Sequence, residues 1–275
     1  MDASQQLESA YQTKTKNHRA VSMYAAGFGL TRGDMSALAG KSIKLIGGGA
    51  SPVLTQLEEN GIFPTAVVNI DPFAPPQDNP RQTLIRENFF DYDGWKDQDD
   101  EVWALYSLPH YSYTEIQVKK FYAKAILGLA PGGHLRVYPI AAGLGIDVDH
   151  IKPLLEPSRI ESAYRDFAND LHAAFPKLGL QEKHSPRVLK SDSLQQTDLE
   201  KYYEMLAAKP AADAKKSSGG IRLGEISSVV FTAPADKTKL NSWLQKYLAT
   251  LKVMEMTEAK NAAMRLSAAK GRDII

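Results

Sequence analysis

The run from Ile43 to Asp71 constrains this chain more than any other stretch. Ile43-Lys44-Leu45-Ile46 is a short apolar segment that stops in Gly47-Gly48-Gly49 and restarts, through Ala50-Ser51-Pro52, as helix-compatible sequence. That order reads as strand, tight turn, helix. Glycine permits backbone conformations closed to other residues, so the N–H groups of the turn can approach a ligand beside the positive end of the helix. Ser51 is placed to cap that helix, Pro52 suits its first position, and Gly61 ends it after Asn60. A second apolar, β-branched run, Ala66-Val67-Val68-Asn69-Ile70, then delivers an acid, Asp71. In a parallel sheet the carboxyl ends of adjacent strands lie on one edge, where such sheets bind ligands. The glycine loop and Asp71 therefore face one crevice, a layout suited to an adenosine whose ribose hydroxyls need an acceptor.

The alternation continues beyond Asp71. Thr83–Arg86 reads as a short strand followed by Glu87-Asn88-Phe89-Phe90-Asp91, and Glu101–Tyr106 as a buried strand ending in Ser107-Leu108-Pro109-His110-Tyr111. Residues 114–129 carry an apolar stripe at helical spacing, Ile116, Phe121, Ala125, Ile126 and Leu129, and Leu129-Ala130-Pro131-Gly132-Gly133-His134 turns into Leu135-Arg136-Val137-Tyr138. Five strands in β-α-β alternation predict a doubly wound, mostly parallel sheet. Farther on, 140–157 reads as a loop with Gly143 and Gly145, 158–175 as a helix, and 179–190 and 225–233 as strands six and seven. Between those strands a helix at about 194–209 precedes a linker, 210–220, with no large apolar side chain, which predicts mobility and a lid or a surface variation. From Asp236 a long helix carries Leu240, Leu244, Tyr247, Leu251 and Met254 near heptad spacing, either packed on its own core or forming an oligomer seam. Ahead of the first strand, apolar residues from Leu7 and Tyr11 to Tyr24 and Phe28 predict one or two helices, with Asp34 as an N-cap for a last turn ending at Gly40. That segment either covers the crevice as a flap or closes the sheet edge.

At 275 residues the chain is long enough for one large core, and its +1 net charge offers no electrostatic footprint for a polyanion, which argues against a nucleic-acid partner. Without cysteine there is no disulfide, thiol nucleophile or thiolate metal site, and the six histidines lack ligand spacing, so no metal site is expected. No uninterrupted apolar run approaches ~18 residues, so the expectation is a cytoplasmic protein without a membrane partner, a monomer or a homodimer.

On these residues the chain resembles the class I S-adenosylmethionine-dependent methyltransferases. Gly47, Gly48 and Gly49 look like the family's first motif, Asp71 like its ribose-binding acid, and Asn88-Phe89 like the pair that meets the adenine. Leu-Ala-Pro-Gly-Gly-His at 129–134 is similar to the loop that precedes the family's fifth strand. The resemblance implies a Rossmann-like, seven-stranded α/β fold with strands six and seven as an antiparallel hairpin. Its domains would be a helical extension or flap (1–39), a methyltransferase-like Rossmann domain (40–235, with an insertion at about 191–222) and a C-terminal helix (236–275). It implies S-adenosylmethionine as cofactor, held by the glycines, Asp71, Asn88, Phe89 and Ser107, and a small-molecule acceptor. His110 is the candidate base, with a structural histidine as the alternative, and Tyr111, Tyr113 and Tyr138 are candidates for an aromatic substrate wall beside Tyr106. Two departures stand out: Leu45 occupies the place of the acid that helps hold the methionine ammonium, and Ser51 replaces a third glycine. The loss of that acid motivates a catalytically degenerate binding or interaction protein as an alternative. An NAD(P)-dependent oxidoreductase is a third reading, opposed by Pro52, which stands where a dinucleotide fold needs a glycine.

Overall fold

The structure, a computed structural model, describes residues 19–77, 79–139, 155–184, 199–207 and 227–270. The expected helix around Leu7 and Tyr11, the loop residues Gly143 and Gly145 and the linker at 210–220 lie outside them.

In chain order the described elements are α1 (Val21–Phe28), α2 (Arg32–Ser36), β1 (Ser42–Ile46), α3 (Val53–Glu59), β2 (Ala66–Ile70), β3 (Gln82–Ile85), β4 (Asp99–Leu105), α4 (Glu115–Gly128), β5 (Leu129–Tyr138), α5 (Pro157–Ala174), β6 (Gln181–His184), α6 (Leu199–Ala207), β7 (Ser227–Thr232) and α7 (Thr238–Lys270). The seven strands form one sheet in the order β3-β2-β1-β4-β5-β7-β6. The first five are parallel, and β7 runs antiparallel to both β5 and β6. The expected seven-stranded, mostly parallel doubly wound sheet is therefore present, with its antiparallel β6–β7 pair.

Strand side chains alternate between faces, and the two faces bury separate cores. From β4, Val102 and Ala104 point into one cluster with Phe121, Tyr122, Phe167 and Leu244, under α4, α5 and α7. Trp103 and Leu105 point the other way, into a cluster with Tyr24, Phe28, Leu57 and Tyr202. Every residue of α1 is buried, and Tyr24 and Phe28 lie 5.5 Å and 5.7 Å from the Trp103 ring. This helix is part of the core on a sheet face, and a side chain at Gly27 would collide with Leu105.

Four local expectations change. Thr31, not Asp34, is the N-cap of α2; Asp34 completes a capping box three residues on, its carboxylate accepting from the Thr31 N–H. The Ser51 hydroxyl does not cap α3 but donates to the Arg19 carbonyl at 3.1 Å, and Pro52 takes the cap position. The Pro131-Gly132-Gly133 run is incorporated into β5, where a Cβ at Gly133 would lie 2.7 Å from the Asp99 carbonyl oxygen. It stands at the amino end of the sheet, opposite the crevice, so it carries information about fold and none about the site. The described part of the expected insertion helix, α6, packs on α1: the Tyr202 hydroxyl donates to the Ala25 and Leu30 carbonyls, which makes the helix a piece of the second core and not a lid over the crevice.

Candidate functional site

The carboxyl ends of β1, β2, β3 and β4 converge on one cavity of about 220 Å³. Its walls include Gly47 after β1, Asp71 after β2, Asn88 and Phe89 after β3, and Ser107 after β4. Tyr111 and Tyr113 come from the loop before α4.

The glycine loop is built by its neighbours. Gly47 takes φ +61°, and a Cβ there would lie 2.7 Å from the Ser107 Cβ, so β1 and β4 can approach this closely only with glycine. Its N–H donates to the Ile70 carbonyl. The Gly48 N–H donates to Asn69 Oδ1, and the Gly49 N–H to Asp71 Oδ2 at 2.8 Å. Asn69, fully buried in β2, also donates to the Gly49 carbonyl. All three glycine N–H groups thus end on acceptors of the protein, and none is aimed at a ligand. This corrects the expectation that they would face the crevice. The loop has no set of N–H donors with which to cradle a pyrophosphate, and Gly48 itself is backed by Asn69 instead of lining the cavity.

Asp71 is 4% exposed, with one oxygen accepting from Gly49 and the other from the Phe73 N–H at 2.9 Å. A carboxylate has about four acceptor positions, so lone pairs remain for a ligand's hydroxyls. Asn88 lies exposed at the cavity rim, its side-chain oxygen accepting from the Phe90 N–H. The Phe89 ring is anchored against Trp95 and Phe121, and no described residue accepts from its N–H. The Ser107 hydroxyl is buried without a hydrogen-bond partner, in the cavity wall.

His110 lies elsewhere. It is 6% exposed, its Nε2–H donates to the Pro139 carbonyl at 2.5 Å, and it lines no part of the cavity. Burial lowers its pKa to about 4, against the opposing pull of that carbonyl. Its Nε2–H is spent on that carbonyl and the ring is held neutral away from the cavity, so it is not placed to act as the base. Tyr138 is likewise in the core, edge-on to Tyr106 at 5.4 Å, and does not reach the cavity. Tyr111 and Tyr113 alone of the expected wall line it, with Tyr113 37% exposed and Gln117 behind it.

Sequence reasoning missed Arg19. It ends the polar run Gln12–Arg19 that separates the apolar residues ahead of the first strand, yet its guanidinium enters the cavity wall and donates to the carbonyls of Gly47 and Tyr106, the latter at 2.9 Å. Tyr106 meanwhile takes φ +47°, rare for a bulky side chain, directly before Ser107. Among the described residues no helix is long and apolar enough to cross a membrane and no group of three metal-ligating side chains occurs.

A Gly loop after the first strand, an acid after the second, a cavity at their carboxyl ends, and a seven-stranded sheet closed by an antiparallel β7 identify the architecture. This is the seven-stranded, mostly parallel Rossmann-like sheet that the resemblance to the class I S-adenosylmethionine-dependent methyltransferases implies. No protein-family model matches the chain, and no curated protein sequence is similar to it. Solved structures that resemble it include the 1,6-didemethyltoxoflavin-N1-methyltransferase of Burkholderia thailandensis, with bound 1,6-didemethyltoxoflavin and S-adenosylhomocysteine (12% identity, 84% of this chain and 88% of that one, TM-score 0.46). The N-methyltransferase NodS of Bradyrhizobium japonicum (11%, 82% and 96%, 0.39) and an S-adenosylmethionine-dependent methyltransferase of Methanosarcina mazei (13%, 71% and 93%, 0.40) are others. Likeness at this level names no substrate, and the fold rests on the chain's own strand order.

Proposed function

We propose that the cavity binds S-adenosylmethionine and that the chain transfers its methyl group to a small-molecule acceptor entering past Tyr111 and Tyr113. The observation that carries this reading is the closed hydrogen bonding of the glycine loop. With its three N–H groups spent on Ile70, Asn69 and Asp71, the loop suits an adenosine ligand without a pyrophosphate and disfavours a dinucleotide. The remaining groups fit that ligand: Asp71 for the ribose hydroxyls, the Asn88 side chain and the Phe89 N–H for the adenine, and the unpartnered Ser107 hydroxyl at the loop. The sulfonium supplies a methyl group already activated for in-line displacement, so the protein's part is alignment and exclusion of water. Among the described cavity residues no imidazole is available as a base, which suits an acceptor that attacks without losing a proton first.

A second reading is a protein that binds the cofactor and transfers nothing; Leu45, fully buried where the resemblance places an acid, favours it. Calorimetry with S-adenosylhomocysteine and with NAD tests the shared core of both readings. Micromolar binding of the first, raising the melting temperature, is the expected result, with little effect of NAD. Asp71→Asn, which retains an oxygen for the loop, should weaken S-adenosylhomocysteine roughly 10- to 150-fold, the equivalent of ~1.5–3 kcal/mol for hydrogen bonds to a charged group. Stabilisation by NAD alone would sink the reading.

A further inference from the structure

The adenosine contacts leave the far end of the ligand unspecified, and the inference that follows rests on the adenosine-site reading above. We propose that Arg19 anchors the carboxylate of the ligand's amino-acid tail, and that the cavity selects its ligand through that carboxylate and not through the ammonium.

The argument starts with the acceptors. The carbonyls of Gly47 and Tyr106 stand at the carboxyl ends of β1 and β4, where an ammonium would seek oxygen atoms. Both already accept from the Arg19 guanidinium. An ammonium placed there meets a permanent cation, and like charges at contact distance in a half-dry site repel strongly. Nor does it find a counter-charge. Leu45 fills the position of the expected acid and is buried in the core, and Asp71 is the one carboxylate among the described cavity residues, its two oxygens held by Gly49 and Phe73.

For a carboxylate the same place is favourable. A guanidinium carries five N–H donors in a planar fork; two are spent on the carbonyls and a third side is turned to the Tyr24 hydroxyl, which still leaves donors for a carboxylate. Among the described residues none forms an ion pair with Arg19. The Ser107 hydroxyl, buried and unpartnered, flanks the same glycine: a Cβ at Gly47 would lie 3.5 Å from its oxygen. An arginine fork and a hydroxyl donor thus converge beside Gly47. Arg19 is also held from behind, because its carbonyl accepts from the Ser51 hydroxyl and the next amide but one, Val21, donates to Gln56. Its position is set before any ligand arrives.

Four ligands titrated calorimetrically into the full chain test this: S-adenosylhomocysteine, its desamino analogue, its decarboxylated analogue and 5′-methylthioadenosine, which lacks the tail. Loss of the ammonium should change affinity by no more than about threefold, and loss of the carboxylate should weaken it about tenfold or more, as for a charge-assisted bidentate pair. Arg19→Gln, which keeps N–H donors for the carbonyls, should weaken the two carboxylate-bearing ligands about tenfold or more and leave the other two unchanged. Arg19→Lys should restore part of that loss. Equal weakening of all four by Arg19→Gln would make Arg19 a brace for the loop only and overturn the inference. So would tight binding of the decarboxylated analogue with weak binding of the desamino one, a result the unaltered protein gives even if the variants do not fold. Failure of all four to bind, 5′-methylthioadenosine included, overturns the adenosine reading itself; binding of that nucleoside without a carboxylate preference overturns the inference alone.

Discussion

At the scale of single residues, the site is shaped by what each group has already been given to do. Gly47 is required by the approach of Ser107, and Asp71 must hold two backbone N–H groups before it can serve a ligand. His110 shows the opposite fate: a residue type that chemistry favours, placed by sequence at the right strand end, is turned inward and neutral. The pKa of about 4, against 6.5 in an unfolded chain, has a measurable consequence. Between those values the unfolded chain binds a proton that the native chain refuses, so stability falls as pH drops from about 6.5 to about 4, by on the order of 3 kcal/mol when complete. His110→Gln keeps an N–H for the Pro139 carbonyl and removes the titration. Urea unfolding midpoints measured from pH 7 to pH 5 should fall less steeply in this variant than in the parent; parallel curves would mean that His110 is not held neutral by the fold.

At the scale of elements, β1 and β4 are joined by more than their ladder. Lys44, which alternates with Ile43 and Leu45 onto the opposite face, is 1% exposed and pairs with Asp99 at 2.5 Å beneath the Trp95 ring. Burial pushes the Asp99 carboxyl up, while Lys44 pulls it back. Lys44→Met removes one partner and strands the other charge, so a loss of about 3–5 kcal/mol is expected, whereas Lys44→Met with Asp99→Leu should recover most of it. Thermal or urea unfolding of the three variants decides the point; a single variant within ~1 kcal/mol of the parent would mean that water reaches Asp99. The heptad stripe of α7 divides in the same physical way. Leu240 and Leu244 belong to the sheet's first core with Tyr247 packed against it, and Leu251 is buried, so that half of the stripe is intramolecular packing.

At the scale of the whole molecule, burial accounts for the apolar side chains of α7 only as far as Leu251. Beyond it Val253, Met254, Met256 and Met264 are 63%, 45%, 65% and 53% exposed. Ending the chain after Met256, which keeps the Lys120–Glu255 ion pair, should cost less than about 1 kcal/mol, or no more than ~2–4 °C in melting temperature. A larger drop that depends on protein concentration would show that a second copy covers this half of the helix.

The periodicity of the sequence was enough to place the sheet, since glycine loop, acid and alternating apolar runs are local patterns whose meaning hardly depends on the rest of the chain. Asp71, Asn88 and Ser107 could be placed at the crevice from sequence because a strand's carboxyl end is legible as the point where an apolar run stops. Direction and partnership were not legible. Whether the glycine N–H groups faced a ligand depended on Asn69 and Asp71, twenty or more residues away, and whether His110 or Tyr138 faced the crevice depended on rotations that only packing fixes. Arg19 was invisible for the same reason: it meets Gly47 across 28 positions and Tyr106 across 87, and nothing in a polar stretch ahead of a helix announces contacts of that range. Local pattern determined the fold because secondary structure is a short-range property, while the chemistry of the cavity was decided by side chains that only the closed sheet brings together.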